Sequence, residues 1–349
     1  MLAGLTDPTS LLSAQPPLMT PADAEHVTYE YFGVRASATL LESERDLNFR
    51  MAGSKGEMLL LKVTNASEDR TVTNLQTEAL HHLKRRCPNL PVPHLVAARN
   101  GSDELLLTLA NGMRHVTRLM TYLPGQPARN AQMSPALRRN ISRGLAELDL
   151  GLRDFEHPAA KHELLWDVSR AGRIRPLIDD LADKDVRDLA KSFLEFYEAD
   201  ICPRLGDLPS QVIHNDFNPN NILVAADESS LTGIIDFGDM LFAPVVCDLA
   251  TAAAYQLICV PDPLPALVEF TSCFNELLPL TVDDLNVLFD IVIARLVMIV
   301  VITEWRGRLH PTNRTYILRN TPAAAMCLSY LLSLSRSKAL HALRRACRL

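Results

Sequence analysis

The stretch whose reading decides the fold is Gln211-Val-Ile-His-Asn-Asp-Phe-Asn-Pro-Asn-Asn-Ile-Leu-Val224, followed by Leu231-Thr-Gly-Ile-Ile-Asp-Phe-Gly-Asp239. Two short apolar runs, Ile222 to Val224 and Gly233 to Ile235, read as the strands of a hairpin. Polar groups therefore collect at strand ends: His214, Asp216, Asn218, Asn220 and Asn221 on one side, Asp236 and Asp239 on the other. The spacing is H-x-D-x-x-x-x-N, with D-F-G beginning 15 residues after the asparagine. Six specified positions at ~1/20 each, over about 350 starting points, give on the order of 10⁻⁵ chance matches, so the pattern calls for a chemical reason.

Phosphoryl transfer supplies that reason. It needs little covalent catalysis and much positioning, with a divalent cation held between protein oxygens and the phosphates. Asp236 and Asn221 offer hard oxygen ligands for Mg²⁺. The acceptor hydroxyl must be aimed in line and relieved of its proton by a carboxylate within ~3 Å, and Asp216 is that carboxylate. His214 is expected to orient the loop by hydrogen bonding rather than to carry protons.

Outward from this segment, the front third is strand-rich. Thr39 to Leu41, Leu47 to Met51 and Met58 to Val63 read as a small antiparallel sheet, with Gly53 and Gly56 in the turn. A short helix begins at Thr20-Pro21, and a second, from Thr73 to Arg86, carries Leu75, Ala79, Leu80 and Leu83 at helical spacing. Asn111-Gly112 joins two further strands, Leu105 to Leu109 and Val116 to Leu123. After Pro124-Gly125 the pattern turns helical: Ser134 to Phe155, Asp185 to Tyr197, Leu285 to Trp305 and much of Ala323 to Arg345. These patterns predict an α+β chain of two parts, residues 1–122 and 123–349, hinged near Tyr122 to Gly125.

Composition narrows the function classes. The 349 residues are 48% apolar and 22% charged, which excludes a disordered, collagen-like or coiled-coil chain. With 35 basic against 41 acidic residues there is no global attraction to nucleic acid or an anionic membrane, and neither is expected as a partner. The basic C-terminus, Arg336 to Arg348, reads as cations complementing the dipole of a last helix. Seven scattered cysteines without C-x-x-C spacing read as reduced thiols, and with no secretory signal evident the chain is expected to be cytoplasmic. Leu288 to Trp305 is nearly all apolar, but Arg295 and Glu304 shorten its uninterrupted run well below the ~20 residues of a bilayer span, so it reads as a core helix.

With these residues in place, the chain resembles the aminoglycoside phosphotransferase and choline kinase group of small-molecule kinases over nearly its whole length. The form His214-Asn-Asp-Phe, Asp248-Leu-Ala250 after the D-F-G segment, and Leu90-Pro-Val-Pro93 before a strand carry the resemblance. It implies a protein-kinase-like two-lobed fold, with a small antiparallel-sheet N-lobe that binds nucleotide and a mostly helical C-lobe that binds the acceptor. It also implies that Lys62 contacts nucleotide phosphates and pairs with Glu78. Met120 and Tyr122, in Arg118-Leu-Met-Thr-Tyr-Leu123, would then belong to the purine pocket.

The chain departs from the protein-kinase pattern in two respects. No G-x-G-x-x-G lies between Glu42 and Arg50, which leaves either Ser43, Arg45 and Asn48 as candidate phosphate contacts or a loop that makes none. No A-P-E element follows, and only five residues separate Gly238 from Pro244, too few for a phosphorylated activation segment; a protein substrate is disfavoured. Within the group, the chain is most similar to the hydroxylysine kinases, which implies GTP or ATP as donor and the side-chain hydroxyl of a free amino acid as acceptor. Such an acceptor needs an anion for its ammonium and a cation for its carboxylate, with Asp239, Glu304 and Arg306 as candidates and Trp166 as a wall. Arg295, inside an apolar helix, also requires a partner. Choline or ethanolamine, homoserine, a sugar or an aminoglycoside remain alternative acceptors, as does a nucleotide-binding pseudokinase that regulates a partner.

Overall fold

Thr20 accepts the Asp23 N–H at 3.2 Å while the Asp23 carboxylate takes the Thr20 N–H at 2.9 Å, and this capping box starts helix α1 (Pro21–Phe32). Gly33, at φ 75°, ends it in a conformation that glycine adopts without strain. The computed structural model describes residues 17–43, 46–258 and 260–349, so Arg45 lies outside the described residues. The chain divides into two compact units. The first runs up to Gly125 and takes in His157–His162 and Thr232–Gly238; the second holds Gln126–Glu156, Glu163–Leu231 and Asp239–Leu349.

The first unit is built on the antiparallel sheet expected from the sequence. Its strands are β1 (Ala36–Leu41), β2 (Leu47–Gly53), β3 (Met58–Val63), β4 (Leu95–Val96), β5 (Leu105–Thr108) and β6 (Arg114–Thr121). Their order is β1-β2-β3-β6-β4, with β5 paired to β6. Register fixes which side chains share a face: Phe49, Leu61 and Leu119 stand opposite one another, as do Asn48, Lys62 and Arg118. The first row is buried with Ala24, Val27 and Phe32 of α1. Because side chains alternate along a strand, the second row points to the other face. There helix α2 (Arg70–Arg86) meets Arg118 through Gln76 and Thr77.

The second unit is mostly helical, with α3 (Pro135–Leu152), α4 (Lys184–Phe196), α5 (Val245–Leu257), α6 (Pro263–Leu277), α7 (Val282–Leu309), α8 (Thr321–Ser333) and α9 (Arg336–Cys347) as its longer helices. The apolar run around Arg295 is the middle of α7, a 28-residue helix. A helix apolar on every side must be covered on every side. Here α5, α8 and α9 pack on it, and its residues from Leu285 to Ile302 are nearly all buried. Much of Ala323 to Arg345 is helical as expected, in two helices separated at Leu334-Ser335, with Arg336 turned onto Asp290 of α7 at 2.7 Å. Two short strand pairs carry the polar loops: β7 (Gln126–Pro127) with β8 (Ile222–Val224), and β9 (Ser210–Ile213) with β10 (Leu241–Pro244). The turn after β8 closes with the Ala225 N–H on Ser230 O at 3.0 Å, where the sequence places a hairpin. The six described cysteines are free thiols.

Candidate active site

The loop after β9 is shaped by its own asparagines. The Asn218 amide donates to Asp216 Oδ1 at 2.8 Å, and the Asn221 amide donates to Asp216 Oδ2 at 2.7 Å and to the Asp216 carbonyl at 3.0 Å. Both Asp216 oxygens thus accept from neutral donors, and 23% of the side chain is exposed. The Asn221 amide spends its donors on Asp216, which leaves Oδ1 as its remaining polar atom. A hard cation needs such an oxygen, so the residue fits the role of metal ligand. His214 is fully buried, and its Nδ1 accepts the Asp216 N–H at 3.3 Å, the orienting contact expected for it.

Asn215 has a φ of 62°, in the left-handed region that asparagine tolerates better than longer side chains. The kink is held from behind: the buried Asp248 of α5 accepts the His214 N–H and the Asn215 N–H, each at 2.9 Å. This places the two backbone groups immediately before Asp216.

One charged contact was not legible in the motif. Arg295 of α7 is 1% exposed and sits 3.5 Å from Asp216 Oδ1. Its Nη1 donates to the Trp166 carbonyl at 2.7 Å and its guanidinium lies 4.8 Å from the Trp166 ring and 5.6 Å from that of Tyr255. A buried guanidinium requires partners of this kind. Asp239 acts electrostatically on Tyr255 together with Asp216 and Arg295, so Asp239 and Trp166 share the surroundings of Asp216. Glu304 and Arg306 do not. Glu304 is nine residues beyond Arg295, about 14 Å along the helix axis, and pairs with Arg314 at 3.1 Å.

In the first unit, Lys62 Nζ lies 3.0 Å from Asp46 and 3.4 Å from Asp236. Burial opposes the charged ammonium, but Asp236 and then Asp46 more than offset it, so the pKa of Lys62 is raised. The expected Lys62–Glu78 pair is not formed: Glu78 faces solvent, and the buried face of α2 presents Thr73, Gln76 and Thr77. The physical reason is register. Lys62 is flanked by Arg118, which takes the α2 side chains for itself, and the strand-to-strand loop supplies Asp46 to the lysine instead. Asp236, at φ 61°, presents a carboxylate that is 51% exposed, accessible as a cation ligand. Asn48 lies directly across from Lys62, and its Oδ1 is buried without a hydrogen bond among the described residues. Ser43 is exposed. Met120 is buried on the Lys62 face of the sheet, between Leu60 and Leu95, and the Tyr122 N–H is taken by Met58 O at 3.0 Å.

Comparison with known proteins agrees with this geometry. The phosphotransferase enzyme family, APH, matches residues 38–271. The hydroxylysine kinase of Danio rerio is 26% identical over 335 residues, 92% of this chain and 94% of the relative. Among solved structures, amicoumacin kinase hAmiN in complex with AMP-PNP, Ca²⁺ and Ami superposes with a TM-score of 0.65 at 14% identity, over 86% of this chain and 91% of that one. The microcompartment-associated aminopropanol kinase gives 0.64 at 19% identity, over 89% and 97%. The fold and the family match together identify the chain as a member of the APH phosphotransferase family, an enzyme that phosphorylates a hydroxyl group on a small molecule.

Proposed function

We propose that this kinase transfers the γ-phosphoryl group of GTP or ATP to the hydroxyl of an amino-bearing small molecule, with 5-hydroxylysine as the leading acceptor. The observation that carries this reading is the Asp216 carboxylate, held by Asn218 and Asn221 and backed by the buried Arg295. Asp216 accepts the proton of the attacking hydroxyl, and its two amide donors fix the direction in which the hydroxyl must approach. Lys62 binds the nucleotide phosphates, with Asp46 keeping its ammonium in place. Ser43 and Asn48 remain the candidate phosphate contacts of the glycine-free loop, and Met120 and Tyr122 line the purine. Mg²⁺, held by Asn221 and Asp236, would neutralise charge on the phosphates. The hydroxylysine kinase relative and the aminopropanol kinase neighbour are named for amino alcohols. Asp239 is the anion suited to such an ammonium, and Trp166 the wall beside it. Glu304 and Arg306 have weaker support, since Glu304 is already paired with Arg314.

The test is nucleoside-diphosphate release with Mg²⁺, comparing GTP and ATP, against hydroxylysine, homoserine, aminopropanol, ethanolamine, choline and an aminoglycoside. Turnover with hydroxylysine, lost in Asp216→Asn, is the expected result. Turnover confined to a non-amino acceptor, or none despite bound nucleotide, would overturn the assignment.

A further inference from the structure

Helices α3 and α5 bring two carboxyl groups together where no water reaches. Asp149 and Asp248 are both fully buried, on helices that pack together, and their carboxyl groups lie within interaction distance of each other. Asp248 accepts two backbone N–H groups from the loop that carries Asp216. Asp149 accepts none: neither of its carboxyl oxygens has a donor among the described residues. Two carboxylates in contact in a low dielectric cannot both be ionised, and an oxygen–oxygen hydrogen bond needs a proton between its ends. The two N–H donors assign the negative charge to Asp248.

We propose that Asp149 is a neutral carboxylic acid that donates its proton to Asp248, and that it is the positioning residue holding the His214–Asp216 loop in its kinked conformation. Its backbone is itself pinned, because the Gln211 amide donates to the Asp149 carbonyl at 2.7 Å. With its proton in place, one of the Asp248 lone pairs is occupied from α3 and the remainder face the loop amides. Removing that proton would set two buried negative charges against each other directly behind Asn215, whose φ of 62° survives only while its surroundings enforce it. The other ionisable groups facing the pair are His214 from the loop and Cys247 of α5. Burial pushes the Cys247 thiol up, so it stays neutral, and His214 with the two loop amides favours the Asp248 anion. Burial, then the charge of Asp248 and the bond to it, push Asp149 well above the usual carboxylate range.

A group with a raised folded pKa stabilises fully below its unfolded value and ceases to do so as pH rises through the folded value. Two variants separate positioning from packing. Asp149→Asn keeps an N–H for Asp248 and removes the titration; Asp149→Leu removes the donor with the same branched outline but a larger volume. The wild-type protein at neutral pH is expected to show the infrared C=O stretch of a protonated buried carboxyl, absent from Asp149→Asn. Asp149→Asn should retain kcat and lose the alkaline fall in both kcat and stability that the wild type shows. Asp149→Leu should lose kcat on the order of 10²-fold through misplacement of Asp216, with nucleotide KM unchanged. Persistence of the carboxyl band in Asp149→Asn, or an alkaline limb identical to wild type, would overturn the proposal. The infrared and stability readings need no acceptor, so they remain decisive if the assignment of hydroxylysine fails or Asp149→Leu does not fold.

Discussion

Arg295 and Asp216 should be energetically coupled, and the coupling can be sized from their geometry. At 3.5 Å and an effective dielectric of ~20, the gross attraction is about 5 kcal/mol. Most of that is offset by stripping water from a guanidinium that is 1% exposed, and the 23% exposure of Asp216 screens the remainder. A coupling of about 1–2 kcal/mol is therefore expected, inside the range found for residues in contact. The perturbations are Arg295→Met, Asp216→Asn and the double variant, and the assay is urea unfolding of all four proteins at pH 7. Arg295→Met should be the more costly single change, because it also leaves the Trp166 carbonyl without its 2.7 Å donor. In the double variant part of that cost should vanish, since no half-buried carboxylate is left facing an empty space. If the two single effects add within ~0.3–0.5 kcal/mol, Arg295 is a packing residue of α7 and its nearness to Asp216 carries no energy.

Other outcomes follow from the same structure. Lys62 has a raised pKa, so its pairing stabilises the fold below the unfolded lysine value of ~10.4 and is lost as pH rises through the folded value; Lys62→Met should flatten the fall in urea midpoint across that alkaline range. Thr281→Ala removes the capping box that starts α7, where Thr281 Oγ1 accepts the Asp284 N–H at 3.1 Å, and should cost about 1 kcal/mol by denaturant unfolding. Leu296→Ala empties a fully buried site beside Arg295 and should cost about 2–5 kcal/mol without altering which acceptor is used; a change of acceptor would mean that α7 shapes the substrate site directly.

The catalytic loop was readable because its chemistry is local. Asp216, Asn218 and Asn221 lie within six residues and satisfy one another, so spacing alone announced them. Helices such as α3 and α7 were readable because burial leaves an apolar pattern at a fixed period. The break between α8 and α9 was not, since it depends on Arg336 finding Asp290, 46 residues away in sequence. The partner of Lys62 was missed for the same reason. A glutamate at the right place on the next helix looked sufficient, but strand register gave that helix to Arg118 and left Asp46 for the lysine.

The sequence by itself determined the family and the sheet-then-helix order, because both are written in residues close together along the chain. Only the tertiary structure decided that Arg295 lies behind Asp216 and that Asp149 lies against Asp248. Both depend on helices far apart in sequence packing at one point, and in that dry contact a charge or a proton has nowhere to go except onto its neighbour.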